Sequence, residues 1–269
     1  MSRFRLPLGM RRVDPDDRLT VVEHLTELRR RLVVSVAAIV VAFIAMYAIH
    51  EQLLDVLLKP LPSRYRTLLA LSPQEPFVVT LKVAIGAAVL LALPVWLYQL
   101  YAFVVPAIAP QTRRKMLAVV AGVSGLFLGG VVFGYYLVLP VALDWLLGFA
   151  DGSFSVQLRA GDYFSFVLTM LLAAGLVFEV PVAMLALARM GLVPAAQFRR
   201  QWRLAIVVIA VLAAILPGGD PVSMLLLMIP MIVLYQLGII LAQAFGGPAI
   251  WQREAWAPGE RPGGEAPQP

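Results

Sequence analysis

Residues 24–50 read HLTELRRRLVVSVAAIVVAFIAMYAIH, a charged helical foot that passes directly into a long uncharged apolar run. About 20 apolar residues in a helix cross the ~30 Å core of a bilayer. The stretch is therefore a membrane span, with its charges held at one water boundary. Glu23 and Glu27 are four residues apart and stack on one helical face, while Arg30 and Arg31 follow Glu27 within side-chain reach. Spacing alone leaves two readings open. One is a salt-bridged helix foot whose arginines set topology; the other is an acidic surface site kept for a basic ligand.

The composition extends the membrane reading to the whole chain. Apolar residues make up 61% of the 269, charged residues only 14%, and the mean hydropathy is +0.84. Soluble domains average about 45–50% apolar and about 25% charged, so an integral membrane protein is expected. The chain has no cysteine, which excludes disulfides, thiolate metal sites and cysteine nucleophiles. His24 and His50 bracket the first span from opposite sides, which disfavours a histidine metal cluster. No cleavable signal peptide is expected, because the first apolar run begins only at Leu32 and lacks a small-residue cleavage site. The pair Arg11-Arg12 is followed by Val13-Asp14-Pro15-Asp16-Asp17 instead of an apolar segment, so it is not an export signal. Neither GxGxxG, Walker A, HExxH nor GxSxG is present. No enzyme activity, cofactor or nucleic-acid partner is expected.

Six spans are predicted, over 32–50, 77–104, 116–139, 163–188, 204–216 and 222–242, as one all-α transmembrane domain over 19–244. A cytoplasmic tail (1–18) precedes it and a disordered Pro- and Gly-rich tail (245–269) follows. Of the 22 Lys and Arg residues, only Lys59, Arg64, Arg66, Lys82 and Arg159 fall on one side of such a bundle. The positive-inside rule then puts both termini in the cytoplasm. The fifth span is short, and Pro230 cuts the sixth. Gly125-x-x-x-Gly129 and Gly130-x-x-x-Gly134 permit close helix approach. Residues 51–58 carry apolar pairs on a helical period and predict an amphipathic helix at the outer interface.

Glu179, in Phe178-Glu179-Val180-Pro181, is the acidic residue placed clearly inside a span, in its inner half. Such a group is costly in hydrocarbon and faces a partner or a wet cavity. Gly175 and Ala183, one turn away on either side, leave space beside it. Gln99 and Gln236 are candidate partners, whereas Lys82 is too shallow.

With HLTELRRRL at the foot of span one, Leu97-Tyr98-Gln99 and Phe103 ending span two, Phe178-Glu179-Val180-Pro181 in span four and Leu216-Pro217-Gly218-Gly219-Asp220 after span five, the chain closely resembles the TatC family over about residues 19–244. The resemblance implies the receptor subunit of a twin-arginine protein translocase in the bacterial cytoplasmic membrane. The implied fold is a curved, cup-like bundle of six helices with short fifth and sixth spans. It also implies that Glu27, with Arg29, Gln99 and Phe103 nearby, engages the two arginines of a signal peptide. The matching second acidic position in the first cytoplasmic loop is Thr112, which carries no charge, and Glu23 is the candidate replacement. Pro60 and Asp220 are further functional candidates. Implied partners are folded precursors with twin-arginine signals, single-span subunits of the TatA and TatB type, lipid, and further copies within the receptor complex. Transport is implied to run on the proton-motive force.

Two other functions compete. A small-solute transporter using Glu179 as a proton relay predicts paired broken helices in inverted halves, and span one has no counterpart of the Pro-Glu cluster in span four. A structural assembly factor predicts no acidic cytoplasmic site.

Overall fold

The computed structural model describes residues 21–104, 112–149, 156–215 and 221–245. The regular structure within them is helical, and an isolated bridge joins Leu69 to Arg159. Helix α1 (Val21–Ala48) leads into a short α2 (His50–Leu58), then α3 (Glu75–Val104) and α4 (Thr112–Phe133). A π-helical turn over Gly134–Val138 joins α4 to α5 (Leu139–Phe149). There follow α6 (Ala160–Phe178), α7 (Val180–Arg189), α8 (Ala195–Arg200), α9 (Trp202–Ile215) and α10 (Pro221–Phe245). Among the described residues, five stretches are long and apolar enough to cross a membrane: Leu25–Ala48, Glu75–Leu100, Leu117–Phe149, Ala160–Arg189 and Met224–Phe245. Trp202–Ala214 is a shorter apolar helix. The chain is a multi-pass membrane protein.

Three expectations need correction. The third span does not stop at 139. Pro140 has no N–H to donate to Tyr136, but Leu139 N–H bonds to Gly134 O across the wider π turn. That local rewinding absorbs the misfit and lets the helix run on to Phe149. The fourth span is not one helix, since α6 ends at Phe178 and α7 begins at Val180 with Pro181 in its first turn. The sixth span is neither cut nor short. Helix α10 holds Pro230 within 25 unbroken residues, about 37 Å at 1.5 Å per residue. One lost hydrogen bond is outweighed by its buried face, where Met231 and Leu234 pack on Val177, Ile209 and Ala213. Helix α9, with 14 residues and about 21 Å, is short as expected.

Helix α1 packs chiefly on α3. Its one buried described residue, Ala42, meets Ala88 and Ala92, so small side chains let the two backbones approach. On the opposite side Val33, Val40, Val41 and Ile44 are exposed. Helices α4 and α6 close on each other through glycine. A Cβ on Gly130 would stand 2.6 Å from Ala174 O and 2.9 Å from Gly175 Cα, and one on Gly134 would stand 2.8 Å from Ala174 Cβ. Gly125 and Gly129 face open space. Only the second of the two glycine motifs is a packing motif here.

The expected amphipathic helix is α2, and two of its last carbonyls accept from tyrosines far along the chain. Tyr135 Oη donates to Val56 O and Tyr163 Oη to Leu57 O, both at 2.7 Å. The Arg66 guanidinium donates to Lys59 O at 3.2 Å and Leu61 O at 3.1 Å, clasping the turn at Pro60. These bonds satisfy acceptors that a helix end leaves open. Nearby, Glu75 is only 5% exposed. Its carboxylate accepts from Leu71 N at 2.9 Å, Arg159 Nε at 2.8 Å and Gly161 N at 2.9 Å, pinning the start of α3 to the start of α6.

Candidate functional site

Glu27 sits on α1 one turn before Arg31, and their side chains form an intrahelical ion pair, with Arg31 Nε donating to Glu27 Oε1 at 3.0 Å. Both groups remain partly exposed. They line a cavity of about 270 Å³ together with Arg30, Val34 and, from α3, Gln99. The acidic site and the salt-bridged foot therefore coexist: the carboxylate is at the surface, and its own helix supplies a guanidinium. Such a pair in contact with water is worth only about 0–1 kcal/mol, so a better-placed cation can displace it.

Beside this cavity a groove of about 420 Å³ runs between α1 and α3, lined by Leu32, Val36, Ile39, Trp96, Leu100 and Phe103 among others. Arg31 and Gln99 line both spaces. The two spaces adjoin through these residues, one lined by charged and polar side chains and the other by apolar ones. Pro94 lies inside α3. Trp96, two residues on, donates its indole N–H to Val89 O at 3.4 Å.

Glu179 occupies the break between α6 and α7. Its N–H bonds to Leu176 O at 3.1 Å, and its carbonyl accepts from Ala183 N at 2.9 Å. Its side chain is half-buried against the backbone of Phe127 on α4, and its Oε1 is buried with no partner. The space expected beside Gly175 is filled, since a Cβ there would come 2.6 Å from the Phe127 ring. Neither expected glutamine meets Glu179. Gln99 lies at the Glu27 cavity and Gln236 is exposed on α10. Lys82 bonds instead to Ser165 at 3.3 Å.

The model of the Sec-independent protein translocase protein (TatC) family matches residues 23–230. The chain belongs to the TatC family. It is 34% identical to the TatC protein of Carboxydothermus hydrogenoformans over 85% of this chain and 94% of that one. It is 35% identical to that of Deinococcus radiodurans, over 88% and 90% respectively. A crystal structure described as the twin arginine translocase receptor TatC superposes with a TM-score of 0.71 at 31% identity, covering 82% of this chain and 99% of that one. The same receptor crystallised in DDM gives a TM-score of 0.73 at 32% identity. TatC proteins are components of a protein translocase, and this chain is one by descent and by fold.

Of the TatC motif positions, Glu27, Gln99 and Phe103 come together around the two adjoining cavities. Arg29 is exposed and does not line them, because residues two apart on a helix point to different faces. Glu23 lies in α1 one turn before Glu27, and Thr112 opens α4; their side chains lie outside what the structure describes. Asp220 also lies outside the described residues. Sequence reasoning missed Trp96, whose place on the groove depends on the α1–α3 crossing. It also missed Glu75, whose role depends on a contact 84 residues away with Arg159.

Proposed function

We propose that the chain is the receptor and core subunit of a twin-arginine translocase, with both termini in the cytoplasm and six membrane passes, α9 making the short fifth. The observation that carries this is the placement of the Glu27 cavity beside the apolar groove, with Arg31 and Gln99 lining both. A twin-arginine signal has the complementary layout, two guanidiniums followed by an apolar run. In this reading a signal arginine replaces Arg31 on Glu27, and charge-assisted pairing to a carboxylate supplies orientation as well as energy. The apolar run then lies against Leu32, Val36 and Trp96. Folded cargo stays in the cytoplasm until single-span partner subunits assemble on the bundle, and the proton-motive force drives the passage. Photo-crosslinking from the two signal arginines tests this directly: the expected adducts fall on the foot of α1 and on Gln99, and adducts confined to α9 and α10 would overturn it.

Thr112 supplies no charge where the family pattern places an acid, and we assign that role to Glu23. Glu23→Gln is expected to weaken precursor binding, and adding Thr112→Glu to restore part of it. A silent Glu23→Gln combined with a gain from Thr112→Glu alone would show that the site has one acid fewer.

Glu179 is read as a polar point where a cargo segment or partner helix meets the bundle. A neutral polar side chain keeps that property, so Glu179→Gln is expected to retain most transport and Glu179→Leu to lose it, compared at equal membrane abundance. A proton relay predicts instead that both variants fail alike.

A further inference from the structure

The cavity at the foot of α1 is unbalanced in charge. Two guanidiniums, Arg30 and Arg31, and one carboxylate, Glu27, line it together with Val34 and Gln99. Arg31 is the cation paired with Glu27. The Arg30 side chain is exposed and makes no hydrogen bond or ion pair with another described residue. A surplus positive charge therefore stands beside the carboxylate that is to receive a cationic ligand.

Beyond Arg30, α1 presents apolar side chains that the bundle leaves exposed. Val33, Val34, Val41 and Ile44 lie within about 60° of Arg30 around a helix of 3.6 residues per turn. All four are exposed. They belong to the membrane-crossing stretch Leu25–Ala48, so acyl chains lie against them, and Arg30 stands near the charged end, at headgroup depth. A guanidinium offers phosphate a planar fork of donors. A phospholipid supplies an anion and then an apolar chain, which is the order of Arg30 and these four residues along the helix. A headgroup with net negative charge also offsets the surplus in the cavity, which a zwitterionic one does not.

We infer that Arg30 holds the phosphate of an anionic phospholipid of the cytoplasmic leaflet, with its chains along Val33, Val34, Val41 and Ile44, and that this lipid is a co-ligand of the signal peptide. Its charge cancels the unpaired guanidinium and so removes a repulsion that a signal arginine meets on its way to Glu27. The co-ligand role rests on the receptor function proposed above, whereas the lipid site does not.

The full chain is placed in nanodiscs of phosphatidylcholine with or without phosphatidylglycerol, the latter carrying a photoreactive group on its chain. Adducts are expected on the Val33–Ile44 face of α1, to fall in Arg30→Gln, and to persist both in Arg29→Gln, which removes the same charge just outside the cavity, and in excess inorganic phosphate. Adducts indifferent to Arg30→Gln, lost equally in both variants, or abolished by inorganic phosphate overturn the site. Signal-peptide affinity is then titrated in the same nanodiscs. Phosphatidylglycerol attracts any cationic peptide to the surface, so the readout is the difference between proteins: its gain is expected to be roughly 5-fold larger for wild type than for Arg30→Gln, the size of one arginine's interaction with an anionic surface. Equal gains overturn the co-ligand role. No signal binding in any nanodisc would overturn the receptor function, and the co-ligand role with it, and leave the lipid site standing.

Discussion

Glu27→Ala is expected to weaken binding of a twin-arginine signal peptide by about 1–2 kcal/mol, roughly a 5- to 30-fold loss of affinity, while the protein still inserts and folds. The magnitude follows from the setting. Glu27 is partly exposed and already paired with Arg31, so the incoming guanidinium gains only the difference between two ion pairs, plus its contact with Gln99. The same reasoning gives a change of opposite sign. Arg31→Gln removes the internal competitor and is expected to tighten binding by roughly 2- to 5-fold, the size of a surface ion pair. Both are measured with a fluorescent signal peptide titrated onto the protein in nanodiscs at one salt concentration. Unchanged affinity in Glu27→Ala would remove this carboxylate from the site. Weaker binding in Arg31→Gln would make Arg31 a part of the receptor instead of a placeholder.

The second large effect lies in the bundle. Gly130→Val forces a branched side chain against Ala174 O and Gly175 Cα, which are backbone atoms that cannot turn aside. Overpacking of this kind costs about 1–3 kcal/mol or more, so α4 and α6 separate and the purified protein loses thermal stability. The matched control is Gly125→Val, where an added Cβ meets nothing within 4 Å. The two variants carry the same chemical change five residues apart on one helix, so the change in helix propensity is alike in both. Equal thermal shifts would mean that the α4–α6 contact is not what the glycine protects. Because Gly130 packs against Phe178, the residue before Glu179, Gly130→Val is also expected to disturb transport beyond its effect on stability.

How much of this was legible in the sequence depends on the range of each interaction. Hydropathy runs located the five described stretches long and apolar enough to cross a membrane, and the period of residues 51–58 located α2, because both signals are local. Glu27 was legible for the same reason, since its partner is four residues away. Prolines misled in two opposite ways. The third span was ended at 139, just before Pro140, and Pro230 read as an interruption, yet a π turn absorbs one and α10 continues unbroken through the other. At Glu179 the reverse occurred: a stretch with one hydropathy signal is broken in two. Gln99 was misassigned as a possible Glu179 partner because depth along a span says nothing about which neighbour a helix faces. Glu75 was invisible, since it acquires its meaning only from Arg159, 84 residues away.

The end of α2 carries a further consequence, for the order in which the molecule is made. Its terminal carbonyls are closed by Tyr135, 79 residues downstream, and by Tyr163, 106 residues downstream. During synthesis this segment emerges long before either tyrosine exists, and at ordinary elongation rates of about 5–20 residues per second it waits several seconds for its partners. Until then this end of the helix is held by local bonds alone, from Lys59 N to Val56 O and from Arg66 to Lys59 O and Leu61 O. Docking of α2 is thus a late event in biogenesis, gated by delivery of the third and fourth spans to the bilayer. A nascent chain stalled before residue 163 will carry an α2 more open to protease than that of the finished chain.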